Sequence, residues 1–118
     1  MSYIDGFVVP VPNDKKAAYR ETATKMAEYF KELGATRIVE AWGSDVPDGK
    51  VTDFKMSVKA EKNENVVFSW VEWPSKQIRD AASEKMKTDP RMQDMSNMPF
   101  DGKRMIFGGF EPLVDTKK

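Results

Sequence analysis

Apolar positions along this chain repeat with a period of two in some stretches and close to 3.6 in others, and the changes of period mark its elements. The densest stretch is Val66–Pro74 (VVFSWVEWP), built mostly of β-branched and aromatic residues. As a strand it sets Val66, Phe68, Trp70 and Glu72 on one face and Val67, Ser69, Val71 and Trp73 on the other. Apolar residues on both faces predict a central strand covered on both sides. Tyr3–Val11 alternates too, Tyr3, Asp5, Phe7 and Val9 against Ile4, Gly6 and Val8, and Pro10 and Pro12 are expected to end it. Thr36–Gly43 predicts a second strand, with Ile38, Glu40 and Trp42 sharing one face and Arg37, Val39 and Ala41 the other. In Phe54–Ala60 apolar residues alternate with Lys55, Ser57 and Lys59, the pattern of a half-exposed edge strand. Glu61–Asn65 reads as the polar hairpin loop that follows it, and Lys103–Phe110 as the last strand, with close approach or a bulge at Gly108-Gly109.

The helical period appears twice. Tyr19, Ala23, Met26, Ala27, Phe30 and Leu33 form a stripe predicting a helix from about Asp14 to Leu33, with Asn13 as its cap and Gly34 as its left-handed stop. Ser75 should cap a second helix ending near Thr88, its inward face Ile78, Ala81, Ala82, the Lys85 stem and Met86. Asp89-Pro90 should stop it and start a further short turn. The order predicts an α+β domain over residues 1–118, close to the ferredoxin-like βαββαβ unit, with an antiparallel sheet and both helices on one face. Three strands fall between the helices where that unit has two, so either the loop at Ser44–Lys50 crosses back or Phe54–Ala60 pairs at an edge or with a second chain.

Composition removes whole classes of chemistry. The chain has no cysteine and no histidine, which excludes disulfides, thiolate nucleophiles, Cys/His zinc sites and imidazole relays. No metal site and no cofactor is expected. Lys+Arg and Asp+Glu both number 19, so the balanced charge argues against nucleic-acid binding. With no signal-like N-terminus and no long apolar run, membrane association is not expected and a cytoplasmic location is.

Several blocks, taken in order, carry a family likeness: YIDGF, GATRIVEAWGSDVPDGKVTDF, VVFSWVEWPSK, DPRM and MPFDGKRMIFGGFEP. From Tyr3 to about Pro112 the chain resembles the YbaA-like family of small bacterial proteins, which in turn resembles the dimeric α/β-barrel superfamily. The resemblance implies a homodimer in which two ferredoxin-like sheets face each other with helices outside. That superfamily includes cofactor-independent quinone-type monooxygenases, haem-degrading monooxygenases, lactone isomerases and ligand-sensing domains. The resemblance carries over no catalytic residues. The lack of histidine argues against the haem-binding branch.

The candidate site therefore rests on residue chemistry. Of the strand carboxylates Asp5, Glu40, Glu72 and Glu111, a buried one among aromatics would have a raised pKa and could act as acid or base. The competing account is a strand-end charge, or an ion pair with Arg37, Arg104 or a lysine. Asp5 and Glu40 are the preferred catalytic candidates, because each sits within a strand and shares a face with aromatics. Tyr3, Phe7, Arg37, Trp42 and Trp70 are the candidate substrate-binding residues, with Arg37 or Tyr3 stabilising an anion. The aromatics could equally form helix–sheet core or a dimer interface. Met86, Met92, Met95, Met98 and Met105 could be an adaptable cover over an apolar ligand, or gap filling beneath an irregular connection. The expected function is binding of a small apolar or aromatic molecule, with cofactor-independent oxygenase or isomerase chemistry. The alternative is a ligand-binding or protein-interaction module without chemistry.

Overall fold

The structure, a computed structural model, describes residues 2–93 and 98–118. Four strands, β1 (Tyr3–Pro12), β2 (Arg37–Trp42), β3 (Glu64–Trp73) and β4 (Ile106–Phe110), form one antiparallel sheet in the order β2-β3-β1-β4. Helix α1 (Lys16–Glu32) joins β1 to β2, and α3 (Lys76–Thr88) with the short α4 (Pro90–Gln93) joins β3 to β4. This is the ferredoxin-like βαββαβ topology, with the doubly apolar β3 in the sheet's interior.

The surplus strand does not exist. Phe54–Ser57 is a one-turn helix, α2, and Phe54 and Met56 are about half exposed instead of alternating into a sheet. Its cause is local: the Asp53 carboxylate accepts from the Met56 amide at 2.6 Å and the Gly49 amide at 2.8 Å, fixing a helical turn. Only Val58 of this segment is fully buried, against Val8 and Val66. The α2 segment thus covers part of the sheet face opposite α1 and α3.

Other expectations shift by smaller amounts. Strand β1 continues through Pro10 to Pro12, because β4 pairs only Ile4–Val8 and leaves the rest of β1 with a free side where proline fits. Asn13 caps nothing: its amide donates to the Asn63 carbonyl at 2.8 Å, and a 3₁₀ turn (Asn13–Lys15) precedes α1. Strand β4 begins at Ile106 instead of Lys103, since Asp101 folds the preceding residues into a turn by accepting from the Lys103 amide. Helix α3 turns Arg79, Ala82, Ser83 and Met86 inward, while Ala81 and Lys85 are exposed. The Arg79 ion pair described below sets that rotation. Gly34, at φ +114°, ends α1 in the left-handed region, and the Ser75 hydroxyl accepts from the Ile78 amide at 3.2 Å. Asp89-Pro90 opens α4, with Asp89 accepting from the Arg91 amide.

Along β3, burial alternates towards the helices. Val67, Ser69, Val71 and Trp73 are buried beneath α1 and α3, whereas Phe68 is 45% exposed. Trp73 packs edge-on against Phe30, and Val9, Val11, Val67 and Tyr19 form a second cluster at the other end.

Where β4 approaches the β3 end, Arg104 reaches across to the buried Glu64 and donates to both carboxylate oxygens at 2.7 Å. The guanidinium holds the Glu64 carboxyl below its ordinary value of 4.5 against the upward push of burial. A carboxyl depressed by folding stabilises the native state above its unfolded pKa, and that stabilisation is lost as pH falls through the folded value. Glu64→Gln should therefore flatten the loss of stability below about pH 4.5. Urea denaturation from pH 6 downwards, compared with the wild type, measures it; parallel curves would contradict the assignment.

Candidate functional site

Strand alternation puts Asp5, Phe7 and Val9 of β1, Ser69 and Val71 of β3, and Glu40 of β2 on the sheet face beneath the helices. Between that face and the helices lies a cavity of about 360 Å³. Its far wall is mostly apolar, Ala23, Met26 and Phe30 from α1 and Met86 from α3, with Thr22 and Ser83 as small polar members. Met92, Met98, Phe100, Met105 and Phe107 close the β4 side. Five of the chain's eight methionines line this one space, so its wall is soft and can adapt to an apolar guest. Met95 lies outside the described residues.

Two polar clusters interrupt the lining. In the first, Glu40 Oε1 accepts from the Tyr19 hydroxyl at 2.6 Å, with Ser69 directly opposite on β3. Burial raises the Glu40 pKa above its ordinary 4.5, and hydrogen bonds from Tyr19 and Ser69 pull it back only in part. Glu40 keeps considerable accessible surface, because β2 is an edge strand and the side chain fronts both the cavity and a groove outside it. Surrounding protein still excludes enough water to penalise the charge. Tyr19 is buried and its pKa is raised by burial and by the neighbouring carboxylate, so it stays a hydroxyl donor. An acceptor with a raised pKa on a largely apolar wall can take a proton from a bound hydroxyl or an acidic carbon.

In the second cluster Asp5 is already occupied. Arg79 donates to it through Nε at 3.1 Å and Nη2 at 2.9 Å, and Trp73 Nε1 donates at 2.9 Å. Arg79 Nη1 binds Asp80 as well, and the guanidinium lies 5.0 Å over the Tyr3 ring. The Asp5 carboxylate is largely covered, and so is the Arg79 side chain. Its partners account for both oxygens, which makes this pair a brace between β1 and α3.

The brace explains Gly109, paired with Asp5 across the β1–β4 ladder. A β-carbon there would strike the Tyr3 hydroxyl and come within 2.6 Å of Arg79 Nη2. Gly109→Ala is expected to cost about 1–3 kcal/mol by overpacking. Gly102→Ala, where a β-carbon meets nothing within 4 Å, is the control and should change little. Thermal denaturation of the two variants compares them.

The other residues singled out from sequence fall elsewhere. Tyr3 is buried under Arg79 and does not line the cavity. Trp42 shares the helix-side face but fronts the outer groove, with the Lys16 ammonium 5.3 Å from its ring. Arg37 and Trp70 are on the opposite sheet face, where Glu72 accepts from Trp70 Nε1 at 2.9 Å and lies 3.9 Å from Arg37. Glu72 is thus a surface charge with local partners. Asp5, Phe7 and Glu40 are brought together; Arg37 and Trp70 are separated from them by the sheet. Sequence reasoning missed Tyr19 as the Glu40 partner and Arg79 as the Asp5 partner. Tyr19 was visible only as one member of an apolar stripe, and Arg79 carried no local signal at all.

Among the described residues no group of acidic side chains could hold a metal ion, and no helix is long and apolar enough to cross a membrane. In fold the chain is similar to a Nitrosomonas europaea protein provisionally named an antibiotic biosynthesis monooxygenase, with a TM-score of 0.59 and 13% identity over 98% of this chain and 94% of that one. It is also similar to a dimeric ferredoxin-like protein from an uncultured marine organism, with a TM-score of 0.56 and 8% identity over 98% and 99% of the two chains. At such identities the likeness shows the fold alone. In sequence it is 69% identical over 116 residues to the uncharacterized protein YbaA of Escherichia coli (strain K12), covering 98% of this chain and 99% of that relative. The family described as "Protein of unknown function (DUF1428)" matches residues 2–102. The chain belongs to this family, that of YbaA and its bacterial relatives.

Proposed function

We propose that the cavity between sheet and helices binds a small apolar or aromatic molecule bearing a hydroxyl, and that Glu40 is the group that meets that hydroxyl. The observation that carries this reading is Glu40 itself: a carboxylate with a raised pKa on the wall of a methionine- and phenylalanine-lined space, steadied by Tyr19. Phe7 and Phe107, stacked with centroids 6.4 Å apart, give the ring of a guest a flat neighbour. The chemistry such a site can run is proton abstraction, which leaves an electron-rich anion able to react with oxygen or to isomerise. Cofactor-independent oxygenation or isomerisation is therefore the reaction class. Asp5, braced by Arg79, serves structure. Oxygen uptake against a panel of phenols and quinols tests the catalytic part: turnover that vanishes in Glu40→Gln supports it. Binding without turnover by the wild type would favour a ligand-binding module.

The same reading includes a homodimer. On the sheet face away from the helices, Phe68, Ile106 and Phe110 are 45%, 46% and 59% exposed, with Phe54 packed edge-on against Phe68. An apolar patch of that kind is a contact surface, and the opposed sheets of a dimeric α/β-barrel would cover it. Sedimentation equilibrium should give twice the mass of one chain; a mass of 13.5 kDa would contradict the dimer.

A further inference from the structure

Outside the Tyr19–Glu40 pair, between α1 and the free edge of β2, runs a groove of about 460 Å³. Tyr19, Ala23 and Glu40 line both this groove and the inner cavity, so the two spaces meet at these side chains. Their chemistry differs. Among the described residues the inner cavity has one cation in its lining, Arg79, and Asp5 and Asp80 neutralise it. The groove has two, Lys16 and Arg20, both exposed. Among the described residues neither pairs with a carboxylate within salt-bridge distance. Trp42 supplies a flat aromatic floor beside Lys16. Among the described residues Glu40 is the one acidic side chain in the groove lining, and Tyr19 holds it where the two spaces meet.

Resting on the cavity reading above, we propose that the groove is a second compartment of the same site, and that the ligand is an aromatic anion. Its neutral ring system occupies the inner cavity, and its carboxylate or similar acid group sits in the groove between Lys16 and Arg20. The charge of Arg79 is already neutralised by Asp5 and Asp80, whereas Lys16 and Arg20, with no carboxylate partner among the described residues, recognise an anion by charge. The Tyr19–Glu40 pair is then the threshold between the compartments. It must shift its side chains for a ligand to span both.

A matched pair of fluorescent probes separates the compartments in the full chain. N-phenyl-1-naphthylamine is neutral, and 8-anilino-1-naphthalenesulfonate is the same ring system with an acid group. The wild type should bind both. In Lys16→Gln/Arg20→Gln the sulfonate should bind about five- to tenfold more weakly, the size expected for losing two solvent-screened charge contacts, with the neutral probe within about twofold of wild type. Arg20→Gln alone, which leaves Lys16 on Trp42, should move the sulfonate in the same direction. Sulfonate affinity should fall with added salt in the wild type and hardly at all in the double variant. Unchanged sulfonate binding, or equal weakening of both probes, would overturn the second compartment while leaving the inner cavity standing. Failure of the wild type to bind even the neutral probe would overturn the cavity and the groove together.

Discussion

Arg79→Ala is expected to destabilise the protein by about 3–5 kcal/mol, a large share of the total stability of a domain this size. The variant removes the one cation that, among the described residues, pairs with Asp5, and leaves a largely covered carboxylate with the indole donor Trp73 Nε1. It also strips the Tyr3 ring of the guanidinium stacked on it. Breaking one partner of such a pair is far worse than removing both, because the surviving charge stays uncompensated. Asp5→Asn combined with Arg79→Met should therefore recover much of the loss, while Arg79→Lys, a point charge without the fork, should recover less. Urea denaturation of these variants measures the series. A loss under about 1 kcal/mol in Arg79→Ala would mean the brace contributes no more than an exposed ion pair.

Glu40→Gln should act in the opposite sense on stability and in the extreme sense on chemistry. If proton abstraction is the step the site performs, removing the base should lower turnover by about 10²- to 10⁴-fold. The amide oxygen still accepts from Tyr19, so the cavity wall keeps its shape. The pH sign follows from the raised pKa: folding disfavours ionised Glu40, so its stabilising protonated form dominates below the unfolded value and is lost as pH rises through the folded one. At pH 7 the wild type carries that unfavourable charge and the glutamine variant does not. The variant should melt higher at pH 7, with the difference narrowing towards pH 4. A wild type kept less stable by a carboxylate on an apolar wall is the pattern of a group retained for function. Lower stability for Glu40→Gln at pH 7 would make Glu40 a structural partner of Tyr19.

How far these features were legible depends on the range of the forces behind them. Helix α1, the Ser75 cap, the Gly34 stop and the interior position of β3 follow from periodicity and local hydrogen bonding, which a short stretch of sequence carries in full. Phe54–Ala60 misled because four alternating apolar residues fit a strand, although Val58 alone was destined for burial. The competing signal was Asp53, whose carboxylate caps a turn more strongly than the alternation favours pairing. At the site, alternation correctly grouped Asp5 with Phe7 and Glu40 with Trp42. It says which residues share a face but not which face the helices cover, so it cannot show that Trp70 and Arg37 lie on the face away from them. The pairs that define the site, Tyr19 with Glu40 and Arg79 with Asp5, join residues 21 and 74 positions apart. No local rule encodes them; they appear once βαβ crossovers lay α1 and α3 over the sheet.

The cavity and its carboxylate meet in a single experiment. With carboxyl-labelled glutamate, ¹³C NMR follows the Glu40 resonance, assigned by its loss in Glu40→Gln, as pH changes with and without saturating 2-naphthol. A midpoint above 4.5 in the free protein, moved further when 2-naphthol binds, is the predicted result. A midpoint at or below 4.5 that ignores 2-naphthol would contradict it.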